Sequence, residues 1–414
     1  MSENPFASKT FTSIWKQHFC TSEKVIEING ISGISFVRNS NLPFYFNVGK
    51  NLTKGLAYTV KKNAFHGISH KTLMIYDVPS YIENKAHEIN GHLKIIKLHQ
   101  YPGFFIDLDN FLDVDDYLMK HFKKSSRYKL KKYRKRLETC FDISYRVFHG
   151  SIKKEVYDHL FIQFNDLLEK RFLEKRVYNN NLDPKEWNFY REVAYPLIHE
   201  KKAALSVVFE KECPIAITLL YFNGDTVIDA ITVFDVDFSK FHLGSCSIMQ
   251  LIQWCIEKGY KKLDFSKGYF DYKARWSTHE YQFEYHLLYN PKSALSTGLA
   301  NLAALFFRLK GYLRRKNVNW HVHKATYLLK NFKISNEPNR QNALMLTDSL
   351  EDSTNLDWTP VSLELAKDVV RKRGFDFLYL TGEKLKDILL FQANSGKIFM
   401  IKGKNHKKYL VIHE

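Results

Sequence analysis

The densest run of residues able to do chemistry lies between 262 and 276. An apolar core of three residues, Leu263 to Phe265, reads as a buried strand. It ends at Gly268 and gives way to a loop holding Tyr269, Phe270, Asp271, Tyr272, Lys273, Arg275 and Trp276. Polar and aromatic loops at strand ends are where α/β proteins place their reacting groups. A transferred group needs an acceptor that loses a proton, so a carboxylate (Asp271) or a tyrosinate (Tyr272) in such a loop can act as a base. Lys273 can neutralise a phosphate or a developing oxyanion. The plainer alternative is that Tyr272 and Trp276 pack under the sheet and Lys273 is solvated.

A second candidate precedes a helix. In Asp235-Val-Asp-Phe-Ser-Lys240-Phe-His242-Leu243-Gly244-Ser245 a strand ends and a helix begins. The opening turn of a helix has unpaired N–H groups and a partial positive charge, which suits a phosphate. Lys240 and His242 flank that position. Asp229 is a third candidate. It interrupts the apolar run Val227-Ile228-Asp229-Ala230-Ile231, and a carboxylate in mid-strand is costly unless it is paired or faces a cleft. A general base and a solvated edge carboxylate both fit. Asp235 is a further acidic candidate at the end of that strand.

These residues need elements to hold them. Val156, Leu160, Phe161, Phe164, Leu167, Leu168 and Phe172 put one apolar face on a helix over 152–174. Asp183-Pro184 opens another, with Asp as cap and Pro at the first helical position. Three strands follow at 203–209, 215–222 and 226–234, the last two joined by Asn223-Gly224-Asp225. Gly244 starts a helix that runs to about Lys258, and 281–289 is an alternating strand. Upstream, 24–36, 43–49, 72–78, 93–98 and 104–108 read as strands. A helix opens at 111 and continues through a basic run that includes Lys123, Lys124, Arg127, Lys131 and Arg136. Leu130, Tyr133 and Leu137 keep an apolar stripe on it. It can hold an anionic substrate through Arg127 and Lys131, a coenzyme phosphate or a nucleic acid, or it can be a solvated face.

The motif Asp-Phe-x-x-Gly-x-x-x-Tyr-Lys-x-x-Trp, Asp264 to Trp276, resembles that of the CelD-like acyltransferases. These are a branch of the GNAT superfamily related to the FemAB peptidyltransferases. The likeness is useful over about residues 100–292 and faint before that. The family often has Asp-Glu-Pro where this chain has Tyr269-Phe270-Asp271. The usual phosphate-loop pattern is reduced here to Gly244, with Phe241 and Cys246 at the flanking positions.

The resemblance implies an α/β fold of two GNAT-like halves, the first degenerate and the second catalytic, with mixed central sheets flanked by helices. A small C-terminal α+β unit would follow. The expected boundaries are 1–122, 123–292, a basic amphipathic helical segment 293–332, a polar linker 333–358 and a last unit 359–414. In that unit 359–373 reads as a helix stopped by Gly374, and 375–380 as a strand. The resemblance also implies acetyl-CoA or another acyl-CoA as donor, bound at Lys240, His242, Leu243, Gly244 and Ser245. A polar acceptor would lie against Tyr269, Phe270, Arg275 and Trp276. The alternatives are transfer from an aminoacyl-tRNA and a non-enzymatic binder of nucleic acid or anionic lipid.

The chain has 414 residues and a formal charge of +18. Residues 331–414 hold 13 basic and 11 acidic side chains, so nearly all the excess lies earlier. That points to an anionic partner or to general solubility. Five scattered cysteines, Cys20, Cys140, Cys213, Cys246 and Cys255, give no disulfide or zinc spacing. His66/His70 and His321/His323 lack a third ligand at suitable spacing, so no metal is expected. No signal pattern or membrane-length apolar run is read, and the expected location is cytoplasmic, with a possible peripheral contact of the 294–316 helix with a membrane.

Overall fold

The computed structural model describes residues 4–20, 24–38, 42–61, 64–82, 93–175, 182–316, 344–348, 356–363, 366 and 368–412. His321, His323 and most of the expected linker lie outside them.

The first region supplies α1 (Lys9–Phe19), α2 (Ala64–Ile68) and the strands β1 (Val25–Ile26), β2 (Ile31–Ser32), β3 (Phe36–Arg38), β4 (Phe44–Asn47), β5 (Thr59–Val60), β6 (Thr72–Pro79) and β7 (Lys94–Asp107). The two strands expected at 93–98 and 104–108 are one 14-residue strand, β7. The basic run is also different from expectation. It splits into α3 (Val114–His121) and α4 (Lys124–Cys140). Phe122 breaks the helix because its ring turns inward onto Trp276, centroids 5.0 Å apart, with its backbone extended.

The middle of the chain runs β8 (Ile143–His149), α5 (Lys154–Lys175), α6 (Pro184–His199), β9 (Ala203–Glu210), β10 (Cys213–Asn223), β11 (Thr226–Phe234), α7 (Leu243–Glu257) and β12 (Lys262–Lys267). Asp183 caps α6 by accepting from the amides of Lys185 and Glu186. The stretch after Gly268 is not all loop. It winds into α8 (Asp271–Trp276), whose inward residues Lys273 and Trp276 are three apart. Then come β13 (His279–Tyr289) and α9 (Ala294–Arg315).

The last unit carries β14 (Leu344–Thr347), β15 (Trp358–Val361), α10 (Asp368–Thr381), β16 (Leu389–Ala393), β17 (Ile398–Lys402) and β18 (Lys407–Ile412). Two expectations are corrected here. Residues 358–361 form a strand paired with β16, and 375–380 lie inside a helix. Val370, Gly374, Phe377 and Leu378 recur at helical steps and are all buried. Gly374 does not end the helix; a Cβ there would strike Leu363. A strand, β14, also falls within the polar stretch 333–358 and pairs with β18.

One mixed sheet of eleven strands organises the molecule in the order β1-β3-β4-β6-β13-β7-β12-β11-β10-β9-β8. Only β4–β6 and β11–β12 are parallel neighbours. Adjacent residues point to opposite faces of a strand. Accordingly Leu205, Val207, Leu219 and Ile228 join one core, with α1, α5 and α6, and Ala204, Val208, Leu220 and Val227 join another, with α3, α4, α7 and α10. α9 packs on β6, β7 and β13. Leu302, Leu305, Phe306 and Leu309 on its far side are exposed. Among the described residues no helix is long and apolar enough to cross a membrane.

Gly103 in β7 lies directly under the Tyr281 ring, where a Cβ would overlap it. Overpacking of this kind costs roughly 1–3 kcal/mol. Gly103→Ala is expected to lower unfolding free energy by about that much in a urea titration, and to displace Tyr281.

Candidate active site

β11 and β12 pair over only three positions, Thr226–Lys262, Val227–Leu263 and Ile228–Asp264, although both strands continue. Each leaves the ladder by a local irregularity at the same level. On β11 the register with β10 jumps from Asp229 to Ile231, so Ala230 is an extra, bulged residue. On β12 the register with β7 jumps from Asp264 to Lys267. Between them Ser266 adopts φ +60°. A non-glycine residue in that region carries strain, and such residues cluster at functional sites. The two strands therefore part immediately after Ile228 and Asp264.

Charge lines the parting. Asp229 is buried and accepts from the Thr232 hydroxyl at 2.7 Å. Burial holds its carboxyl above the usual range, against the opposing pull of Thr232, Lys273 and Lys54. Lys273, from α8, is buried as well. Its Nζ donates to the carbonyls of Ser266 at 3.3 Å and Lys267 at 3.0 Å. Burial pushes this ammonium down to about 8, against the attraction of Asp229 and Asp264. Asp264 is fully buried and accepts from Tyr81 at 2.9 Å, from Tyr281 at 2.7 Å and from the Ser266 amide at 2.7 Å. Burial raises it to about 6 despite those donors.

Tyr272 stands beside this group. Burial and the Asp229 charge raise its phenol well above the ordinary value, with Arg171 opposing. That direction favours the phenol form, whose O–H can donate a hydrogen bond or a proton. Arg171 lies 4.2 Å from the Phe234 ring and donates to the Thr232 carbonyl.

The first region completes the cleft. Lys267 donates to Asp77 and to the Asn51 carbonyl, both at 2.7 Å. Asp77 is fully buried at φ +59° and also accepts from Thr53 and Gln100. Lys54 keeps some solvent contact, yet burial lowers its pKa; Asp77, Glu186 and Asp229 oppose that shift. Among the described residues its Nζ has no hydrogen-bond acceptor. Lys54, Asp77, Arg171 and Glu186 were not read from the sequence, and Asp264 was read only as the first residue of the motif. Asp77 and Asp264 carry the same signal as Asp229, an acid within an apolar strand. The others carry none, because they come from distant segments.

Of the residues expected in the site, Asp229, Tyr272 and Lys273 are brought together. The remainder are placed elsewhere. Asp235 caps the 3-10 turn Val236–Phe241 and bonds Lys170 at 2.7 Å, a structural use of its carboxylate. Asp271 is exposed at the start of α8. Trp276 is fully buried against Tyr117 and Phe122 and cannot line an entrance. Tyr269, Phe270 and Arg275 are exposed, with the Lys273 ammonium 5.4 Å from the Phe270 ring centroid. Arg127 donates to the carbonyls of Met119 and Phe122, and Lys131 pairs with Asp115 at 3.0 Å. Both tie α4 to α3.

The expected donor-binding residues form the entry to α7. His242 takes φ +50° as its cap and stacks on Tyr133 at 3.9 Å. Lys240 lies 3.8 Å from Asp376. Leu243 is buried, whereas Gly244 and Ser245 are half-buried and leave the helix start accessible. A Cβ on Gly244 would come within 2.7 Å of the Phe234 ring, so packing of α7 on β11 already requires the glycine. An accessible helix start beside parted strands fits a diphosphate with a thin chain running inward.

The Asp264 carboxyl has a testable consequence. Its folded pKa, about 6, lies above the unfolded value of roughly 3.9. Between those values the native state binds more protons, so this group's contribution to stability declines as pH rises. The unfolding free energy of wild type minus that of Asp264→Asn is expected to fall by about 2 kcal/mol between pH 4 and 6 and to level off above about pH 7. Urea titrations at stepped pH measure it.

Residues 124–274 match the family model described as "Acetyltransferase (GNAT) domain". The match starts at α4 and ends within α8. A search of curated proteins gives no match. Among solved structures, FemX is similar at 12% identity and TM-score 0.47, covering 68% of this chain and 91% of that one. L-PGS from Bacillus licheniformis is similar at 12% identity and TM-score 0.43, covering 75% and 98%. A tandem GNAT protein from the clavulanic acid biosynthesis pathway has 8% identity and TM-score 0.31, covering 61% and 77%. Likenesses this low carry no weight for the activity of this chain. The chain contains a GNAT-type acetyltransferase domain over residues 124–274, built around the parted strands, and is an acyl-CoA-dependent acyltransferase.

Proposed function

We propose that this domain moves an acyl group, acetyl in the first place, from acyl-CoA to the amine or hydroxyl of a polar acceptor in the cleft between β11 and β12. A sugar or a cell-envelope precursor is the acceptor class suggested by the CelD-like motif. The observation that carries the reading is the convergence of Asp229, Tyr272 and Lys273 on the parting of these strands. The pantetheine arm would run between the strands with its diphosphate at the start of α7.

Asp229 takes the proton from the acceptor, directly or through one water. Burial raises its carboxyl pKa, which makes it a stronger base than an ordinary carboxylate. The acceptor attacks the thioester carbonyl, and the carbonyl oxygen gains charge. The Ala230 amide, displaced from the ladder by the bulge, is one backbone donor candidate. The carbon–sulfur bond then breaks and the thiolate takes the Tyr272 proton. Lys273 keeps Asp229 ionised once the cleft is closed to water. Most of the acceleration comes from holding thioester and acceptor together.

Asp229→Asn is expected to lower kcat roughly 10²–10⁴-fold, the usual contribution of a positioned base, with little change in KM for the donor. Tyr272→Phe is expected to lower kcat with a smaller effect on acceptor binding. Release of free coenzyme A thiol in the presence of candidate acceptors measures both. Wild-type transfer from a charged tRNA, with none from acetyl-CoA, would overturn the donor assignment.

A further inference from the structure

One open concavity does not lie over the buried charges. It lies at the outer end of the donor path, between α4 and α10, with a volume of about 860 Å³. Four lysines line it: Lys123, Lys124, Lys129 and Lys132. Among the described residues none of the four has a carboxylate partner, whereas Lys131 on another face of the same helix is paired with Asp115. Three aromatic rings, Tyr128, Tyr133 and Tyr379, share the lining.

The concavity adjoins the start of α7. Tyr133, in its wall, stacks on the cap residue His242 at 3.9 Å and faces Tyr379 at 6.5 Å. The last unit builds the opposite side. Its helix α10 locks onto the turn before α7: Arg371 bonds Asp237 at 2.7 Å, Phe375 packs on Phe141 and Phe238, and Tyr379 meets Phe241. Uncompensated ammonium groups call for an anion of high charge density. Phenol rings in the same wall call for a flat base that can stack. The ligand chemistry is therefore a phosphorylated purine nucleoside, placed beside a helix start that takes a diphosphate.

We propose that this concavity holds the adenosine 3′-phosphate end of the acyl-CoA, with the phosphate on the α4 lysines and the adenine against the tyrosines. This assignment rests on the acyl-CoA reading of the cleft. It gives the last unit a role: Tyr379 closes a nucleotide site that residues 124–274 leave half open.

The test is isothermal titration of coenzyme A and of dephospho-coenzyme A, which lacks only the 3′-phosphate, into the full chain. Wild type is expected to bind coenzyme A roughly tenfold more tightly, as one charge-assisted phosphate contact would give. The double variant Lys129→Ala/Lys132→Ala is expected to lose most of that difference and Lys129→Arg/Lys132→Arg to keep it. Tyr379→Ala should weaken both ligands alike. Circular dichroism of each variant separates loss of the site from loss of the fold. Equal binding of the two ligands by wild type, or an undiminished difference in the alanine variant, overturns the nucleotide pocket and leaves the donor reading intact. No binding of either ligand by wild type overturns both. Salt-sensitive binding of an RNA hairpin that the alanine variant loses, with its coenzyme A affinity unchanged, assigns the lysines to RNA and overturns the proposal.

Discussion

Buried charges must be compensated where they lie, and the parting of β11 and β12 is the place where this chain meets that demand. Asp229, Asp264 and Lys273 occupy the gap that two irregular strands open. An isolated ion in such surroundings would be neutralised or expelled. Lys273 sits under the influence of both carboxylates, and its ammonium is tied to two carbonyls of β12. Asp264 in turn is fixed by Tyr81 and Tyr281, and Tyr281 can approach only because β7 has Gly103 beneath its ring. The site is thus held by strands on both sides of the gap. A change in β7 reaches it as directly as a change in α8.

The same demand explains why the first region is needed. Lys267 leaves β12 and meets Asp77 of β6, a carboxylate with φ +59° and three side-chain donors around it. Two strained backbone positions, Ser266 and Asp77, flank one network. Strain of this sort persists where the surroundings over-determine it. The network places two depressed ammonium groups, Lys267 and Lys273, and two elevated carboxyls, Asp229 and Asp264, in one cleft. Groups driven toward neutrality from both sides are suited to moving protons near pH 7.

The outer end of the path is governed by packing. Leu363, Val370, Phe375, Phe377 and Leu378 of the last unit belong to the same buried cluster as Leu130 of α4 and Cys246 and Met249 of α7. The last unit is therefore part of the core that sets the start of α7. Arg371 and Lys170 both bond the buried Asp237, so the turn leading into α7 is braced from α5 and from α10.

Local chemistry in the sequence determined the elements of the middle region. Asp183-Pro184 opens α6, Asn223-Gly224-Asp225 turns β10 into β11, and the 3.6-residue periodicity over 152–174 gives α5, because caps, turns and amphipathic faces are decided within a few residues. Asp229, Tyr272 and Lys273 were legible for the same reason: each is a polar group in a local setting that makes it costly or conspicuous. Where two local signals competed, tertiary contacts chose. Phe122 broke the basic helix to reach Trp276, and Leu363 packed over Gly374 so that α10 ran through it. Most of the charges that complete the cleft could not be read. Lys54, Arg171 and Glu186 come from a loop, α5 and α6, with no local signal, and only the assembled fold sets them beside the motif; Asp77 carried a local signal but no partner that the sequence could name. The sequence determined which groups can react. The sheet decided which of them meet, because burial and proximity are properties of the assembled strands.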